Sequence, residues 1–255
     1  MSGGALLTGS LMFVLFTDFG LEGPYTGQMK AVLIGEAPGV PVVDLCADLS
    51  PFEAQGAAYL LAAYLDAFPA DAVFVCVVDP GVGSSRDGLV LKADGQHFVG
   101  PDNGLLALVA RRAAAASAWR ITWTPERLSA SFHGRDLFAP VAARLARGEA
   151  PPGEPLPREA VDRADWPNDL ARIVYIDRYG NLVSGHRATG VPEIAAIGAG
   201  RHRIAHGGTF SAVPPNTAFW YANANGLIEI AVNQGRADTE LGVSVGAAIE
   251  VFEDG

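Results

Sequence analysis

Two uninterrupted apolar runs, MFVLF at Met12–Phe16 and AVFVCVV at Ala72–Val78, constrain the fold of this chain more than any other feature. Neither alternates with polar residues, so each reads as a strand buried on both faces. Segments of helical character separate such strands. One runs from Pro24 to Ile34 and is closed by Pro38-Gly39; another runs from Pro51 to Phe68, with Ser50 as the expected N-cap and Glu53 three residues later. Val40–Leu45 is a further strand, Leu89–Ala93 and His97–Val99 form a hairpin around Asp94-Gly95, and Asn103–Ala116 is an Ala- and Leu-rich helix. Buried strands alternating with helices predict an α/β domain over residues 12–150 with a mainly parallel central sheet.

The texture changes at 151–170. PPGEPLPREAVDRADWPND holds five prolines and mixed charge, and it reads as a Pro-rich linker. Beyond it, Arg172–Ile176, His202–Ala205, Phe219–Ala222, Leu227–Val232 and Ala247–Phe252 are short strands divided by Gly, Pro and Asn. With no long helix among them, they predict a smaller all-β, barrel-like domain over 171–255.

Composition excludes several classes of function. The 255 residues carry Lys+Arg 18 against Asp+Glu 28, a formal net charge of −10, and leave little material for the basic face that nucleic acid requires. Cys46 and Cys76 stand far apart in apolar runs, with no metal-ligand spacing, so no metal site is expected. No run reaches the ~18 apolar residues of a membrane span. Met1–Phe16 has no Lys or Arg and hence no basic start of an export signal. The expectation is a cytoplasmic protein with no membrane partner, and a loose extension before Met12.

In an open α/β sheet, ligands bind beyond the carboxyl ends of the strands. Polar clusters stand at three strand ends: Thr17-Asp18-Phe19-Gly20, Asp79-Pro80-Gly81-Val82-Gly83-Ser84-Ser85-Arg86 and Gly100-Pro101-Asp102-Asn103-Gly104. An Asp after a buried strand either caps the next helix or accepts hydrogen bonds from a ribose diol. The second cluster is neither a P-loop nor a dinucleotide fingerprint. A fourth cluster, Ser131-Phe132-His133-Gly134-Arg135-Asp136, sets a His beside an Arg and an Asp ahead of an apolar helix start. Asp136 suits a helix N-terminus, and His133 suits either a structural role or a proton relay or water anchor. Asn residues at 223, 225 and 233 fit Asx turns and also the edge of a purine.

Taken in order, TDFG…PYTGQMK, VVDPGVGSSR, VGPDNGLL, FHGRD, IDRYGN and NGLIEIAVN resemble the S-adenosylmethionine hydroxide adenosyltransferases, relatives of the SAM-dependent fluorinase and chlorinase. The resemblance runs from about Phe13 to Phe252. It implies hydrolysis of SAM to adenosine and L-methionine, with SAM as substrate and no cofactor. It also implies a homotrimer with sites between neighbouring subunits. Asp79, Arg86 and His133 match the family's catalytic set around the nucleophilic water. Asp18 matches the carboxylate on the ribose hydroxyls and Phe52 the aromatic that lines the ribose and reaction centre, and Tyr25 and Phe52 are expected to exclude solvent. Asp177 and Asn181 match contacts to the methionine ammonium and adenine, and Phe210 and Asn233 match the adenine pocket.

Halogenase relatives carry a Tyr where Asp79 stands, and Tyr-Ser or a related pair where His133-Gly134 stands. A halide 4 Å from an ionised carboxylate is repelled by about 4 kcal/mol at an effective dielectric of 20. The expected activity is therefore hydrolysis. A chlorinase-type halogenase and a catalytically silent adenosine or SAM binder are the alternatives. Either Asp79 or His133 serves as the base.

Overall fold

The computed structural model describes residues 11–253, so the expected extension before Met12 lies outside the described residues apart from Leu11. The chain divides into two compact units after Asp165. In the first unit the elements are β1 (Phe13–Thr17), α1 (Tyr25–Glu36), β2 (Val42–Cys46), α2 (Ala54–Tyr64), β3 (Val73–Val77), β4 (Gly88–Ala93), β5 (Gln96–Pro101), α3 (Ala107–Arg112), β6 (Ala116–Ile121), α4 (Ala139–Ala146), β7 (Gly153–Leu156) and α5 (Arg158–Val161). Seven strands form one sheet in the order β2-β1-β3-β5-β4-β6-β7.

Every residue of β1 and β3 is buried, as their unbroken apolar runs require. Alternate side chains of a strand serve opposite faces. Phe13, Leu15, Val73, Val75 and Val77 pack with Met29 and Leu33 of α1 and Val141 and Leu145 of α4. Phe74 points the other way and stacks on Phe98, ring centroids 4.8 Å apart. Each such fully buried Val, Leu or Phe contributes roughly 1.5–3 kcal/mol.

β1 pairs in parallel with both β2 and β3, and β3 with β5. The other pairings, β4–β5, β4–β6 and β6–β7, are antiparallel. The sheet is therefore mixed, not mainly parallel. The Asp94-Gly95 hairpin turns β4 back on β5, with both central residues at positive φ, 48° and 101°, as an I′ turn requires.

Three local expectations are corrected. The helix expected over Asn103–Ala116 stops at Arg112, because the Asp94 carboxylate accepts the backbone N–H groups of Ala114 (3.0 Å) and Ala115 (2.8 Å). The chain then pairs with β4 as β6, tertiary pairing overriding the helix preference of alanine. Ser50 does not cap α2. The helix begins after Glu53 without a side-chain cap, and Ser50 instead opens a turn. Finally, the Pro-rich 151–170 stretch contains β7 and α5. Pro155 is tolerated there because β7 is an edge strand, where a missing N–H breaks no interior ladder.

The second unit holds β8 (Leu170–Ile176), β9 (Leu182–Arg187), β10 (Ala196–Ala199), β11 (His202–Ile204), β12 (Ala218–Ala222), β13 (Leu227–Val232), α6 (Ala237–Leu241) and β14 (Ile249–Phe252). They make two antiparallel sheets, β12-β13-β9-β8 and β11-β10-β14, bridged at Arg172 and Ala248. Ile173, Leu182, Ile197, Trp220, Ile230 and Ile249 share one core, and the Trp220 indole donates to the Ala195 carbonyl at 2.8 Å. Among the described residues neither sheet closes on itself, so this unit is sheet-rich without a closed barrel.

Candidate active site

Because β1 and β3 are parallel, Thr17 opposite Val77, their carboxyl ends emerge on the same edge of the sheet. Asp18 follows β1 directly and its N–H donates to Val77 O at 3.3 Å; Asp79 lies two residues beyond β3. Both carboxylates line a cavity of about 400 Å³ together with Tyr25, Phe52 and His133. That volume falls in the usual range for small-molecule sites, roughly 300–1,000 Å³.

Arg86 ties the wall of this cavity together. Its Nε donates to Asp79 Oδ1 at 2.9 Å and its Nη2 to Asp79 Oδ2. The same Nη2 lies 3.0 Å from Nδ1 of His133. The Asp79 side chain is only 4% exposed and that of Arg86 10%, so the pair is desolvated and its planar fork is held in one orientation. The Phe138 ring lies under the guanidinium, 5.2 Å from its carbon.

A guanidinium has no acceptor, so Arg86 donates and His133 Nδ1 accepts. The ring is then neutral, with its proton on Nε2. Burial and the Arg86 charge both hold the His133 pKa below its ordinary value, against weaker opposition from Asp79 and Asp136.

Two loops must meet for this arrangement. Gly83, at φ 79°, lies on one, and a Cβ there would stand 2.3 Å from the Ala130 carbonyl of the other. His133 leads into a π-type turn, Gly134–Phe138, that continues as α4. Arg135 anchors that turn. It donates to Asp136 Oδ1 at 2.6 Å and to Gln28 Oε1 of α1 at 2.8 Å, while Asp136 Oδ2 accepts the Ser129 N–H at 2.9 Å. The Arg135 bond holds the Asp136 carboxyl below its usual range.

Asp18 Oδ2 accepts the backbone N–H of Phe52 at 3.2 Å. Burial raises the Asp18 pKa, the Phe52 hydrogen bond opposes that rise, and the nearby Asp79 charge adds to it. Phe52 itself sits at φ 68°, a left-handed conformation that costs a non-glycine residue roughly 1–2 kcal/mol. Its ring is 73% exposed at the cavity rim. Tyr25, at the start of α1, packs edge-on against Phe132 at 5.3 Å and tilted against Phe19 at 5.7 Å.

The other expected site residues lie in the second unit. Asp177 Oδ1 accepts the N–H groups of Tyr179 and Asn181, both at 2.9 Å, and its Oδ2 accepts the Asn181 side-chain amide at 2.9 Å. Phe210 packs on Phe219 at 5.1 Å and Tyr221 at 5.7 Å. Asn233 donates its side-chain amide to Val213 O at 2.8 Å, a bond across 20 residues, whereas Asn223 forms an Asx turn, its Oδ1 accepting the Asn225 N–H at 3.0 Å.

Sequence reasoning missed three features. Phe19 and Phe132, both inside recognised motifs, complete the aromatic cluster on Tyr25. Arg135 and Gln28 brace the His133 turn. Glu229 is 7% exposed and accepts from the Tyr221 hydroxyl and from the Asn223 amide at 2.9 Å. An acid inside the apolar strand LIEIAV was the available signal for that cluster.

Comparison with known proteins identifies the family. The family model for the SAM hydroxide adenosyltransferase N-terminal domain matches residues 13–154, and that for the C-terminal domain matches 171–250. An (R)-S-adenosyl-L-methionine hydrolase of Thermus thermophilus is 37% identical over 255 residues, covering 92% of this chain and 97% of that one. A conserved protein of Thermotoga maritima with a crystal structure superposes with a TM-score of 0.84 at 30% identity, over 94% of this chain and 100% of that one. A fluorinase of Nocardia brasiliensis is more distant, 23% identical over 70% of this chain and 65% of its own length. The chain belongs to the SAM hydroxide adenosyltransferase family.

Proposed function

We propose that this protein hydrolyses S-adenosyl-L-methionine to adenosine and L-methionine by in-line attack of water on C5′. The observation that carries the reading is the Asp79–Arg86–His133 array at the wall of a cavity that also holds the Asp18 carboxylate. The Thermus relative is named for the (R) sulfonium epimer, and we extend that epimer to this chain as its substrate.

The sulfonium departs as a neutral thioether, so the leaving group needs no acid and the reaction asks for no cofactor. The protein must place a water, accept its proton and exclude bulk solvent. Positioning of a bound nucleophile supplies roughly 7–11 kcal/mol of the barrier. His133, with Nδ1 occupied by Arg86, offers Nε2–H as a donor to the water oxygen. Asp79 keeps free lone pairs beside its Arg86 bonds and takes the proton as the C5′–O bond forms and the C5′–S bond breaks. This assigns the base to Asp79 and the orienting donor to His133, with Arg86 positioning both.

The same geometry refines the argument about halide. Arg86 offsets much of the Asp79 charge, so simple repulsion is weaker than an unpaired carboxylate would exert. Water is favoured because it both donates and accepts, whereas a halide only accepts and offers no hydrogen to the Asp79 lone pairs that Arg86 leaves open.

For assembly we propose a homotrimer in which a neighbour's second unit supplies Asp177, Asn181, Phe210 and Asn233 to the cavity. Exposed apolar rings support it: Tyr25 is 50% exposed and Phe52 73% in the first unit, Tyr179 75% and Phe210 38% in the second. Among the described residues no helix is long and apolar enough to cross a membrane, and a cytoplasmic location with no nucleic-acid partner remains part of this proposal. The test is chromatography of each SAM epimer incubated with the protein, with and without chloride. Adenosine and methionine are expected in both conditions. A dominant 5′-chloro-5′-deoxyadenosine peak, or retained SAM without turnover, would overturn the hydrolase reading.

A further inference from the structure

Phe52 occupies a place that its own chemistry disfavours. The Glu53 N–H donates to the Ser50 carbonyl at 3.2 Å and closes a four-residue turn, Ser50-Pro51-Phe52-Glu53. Pro51 is second in the turn, and Phe52, at φ 68°, is third. With proline second and a left-handed residue third, such a turn ordinarily takes glycine or asparagine at the third position. A bulky residue persists in such a conformation only where its surroundings hold it. Besides the bond that closes the turn, Phe52 is held by the hydrogen bond from its own N–H to Asp18 Oδ2 at 3.2 Å. Apart from that bond and its cavity wall the ring is largely free, 73% exposed.

We propose that Phe52 is a positioning residue, latched through its backbone N–H to Asp18, so that binding of a vicinal diol at Asp18 and placement of the Phe52 ring over the cavity are coupled. The proposal rests on the reading of this cavity as a ribose site. A carboxylate has about four acceptor positions. The Phe52 N–H uses one on Oδ2, which leaves both hydroxyls of a vicinal diol a lone pair without displacing the turn. The Phe52 bond holds the Asp18 carboxylate in one orientation, and a diol bound to the same carboxylate holds it likewise, so a bound diol strengthens the latch, and by linkage a closed turn strengthens diol binding. A 2′-deoxy ligand brings one hydroxyl and closes the latch less.

Amide hydrogen exchange at Phe52 tests this directly. Without ligand, Asp18→Ala is expected to speed exchange of the Phe52 N–H at least tenfold over wild type. The isosteric Asp18→Asn, which keeps a weaker acceptor and secures a folded comparison, is expected to lie between the two. In the wild type at equal saturation, adenosine is expected to slow exchange more than 2′-deoxyadenosine does. Unchanged exchange in both Asp18 variants, or equal protection by the two nucleosides, would overturn the latch. The ligand-free arm does not depend on the identity of the substrate. If adenosine fails to bind, the ribose reading falls while the latch is still decided by the variants.

Discussion

Arg86 Nη2 stands 3.0 Å from His133 Nδ1, and that contact decides which imidazole nitrogen carries the proton. An arginine can only donate, so His133 faces the cavity as a neutral donor through Nε2–H. In the proposed hydrolysis the base is then sought elsewhere, and Asp79, held by the same guanidinium, is the acceptor we assign.

The first expectation concerns the Arg86 fork. Arg86→Lys keeps the charge but loses the two-pronged geometry that binds Asp79 and reaches His133. kcat should fall by roughly 10²–10³-fold, the scale seen when one preorganised donor is removed. KM should change little. Steady-state kinetics on purified protein checks this, and a change confined to KM would contradict the role given to Arg86.

Much of this array is legible in the amino-acid sequence. Asp79, Arg86 and His133 stand in recognisable motifs, and the buried runs of β1 and β3 place Asp18 and Asp79 at strand ends. The contact that fixes the tautomer was not legible, because it joins residues 47 positions apart through the meeting of two loops. β6 was hidden for another reason. Its Ala-rich entry favours a helix locally, and only the Asp94 side chain and pairing with β4 redirect it. The strained turn at Phe52 was invisible too, since nothing in Ser-Pro-Phe-Glu announces a left-handed phenylalanine.

pH separates the two acidic limbs of the reaction. His133 must be neutral to accept from Arg86, and its pKa is held below the ordinary histidine value of about 6.5 by burial and by Arg86. kcat should therefore stay level at neutral pH and fall only below that value. The linkage has the same direction. The unfolded chain takes the proton first, so the stability due to neutral His133 is present above about pH 6.5 and is lost as pH falls toward the folded pKa. Asp18 titrates above the ordinary carboxylate value of about 3.9, so the acid limb of kcat/KM should carry that further ionisation. A kcat limb lying above the ordinary histidine range would contradict the assigned tautomer.

Asp18→Ala should act mainly on binding. Ribose contacts are made alike in the ground and transition states, so KM should rise while kcat changes much less. His133→Ala should do the reverse. If both variants altered only KM, the division of labour between the two residues would be wrong.

Gly83→Ala tests the junction of the two loops. The new Cβ would lie 2.3 Å from the Ala130 carbonyl, at a φ of 79° that alanine resists. The loss should be roughly 1–3 kcal/mol, read as a lower Tm. Activity should fall further than stability alone explains, because Val82 and His133 line the cavity from the two loops. A variant with wild-type Tm and turnover would show that the loops have room to part.

The reaction itself is tested most directly by isotope. SAM is hydrolysed in water enriched in ¹⁸O, and both products are analysed by mass spectrometry. Attack by the water beside Asp79 and His133 puts the label on the 5′-hydroxyl of adenosine and leaves methionine unlabelled. Unlabelled adenosine, or 5′-methylthioadenosine with a labelled amino-acid fragment, would place the attack elsewhere and contradict the mechanism.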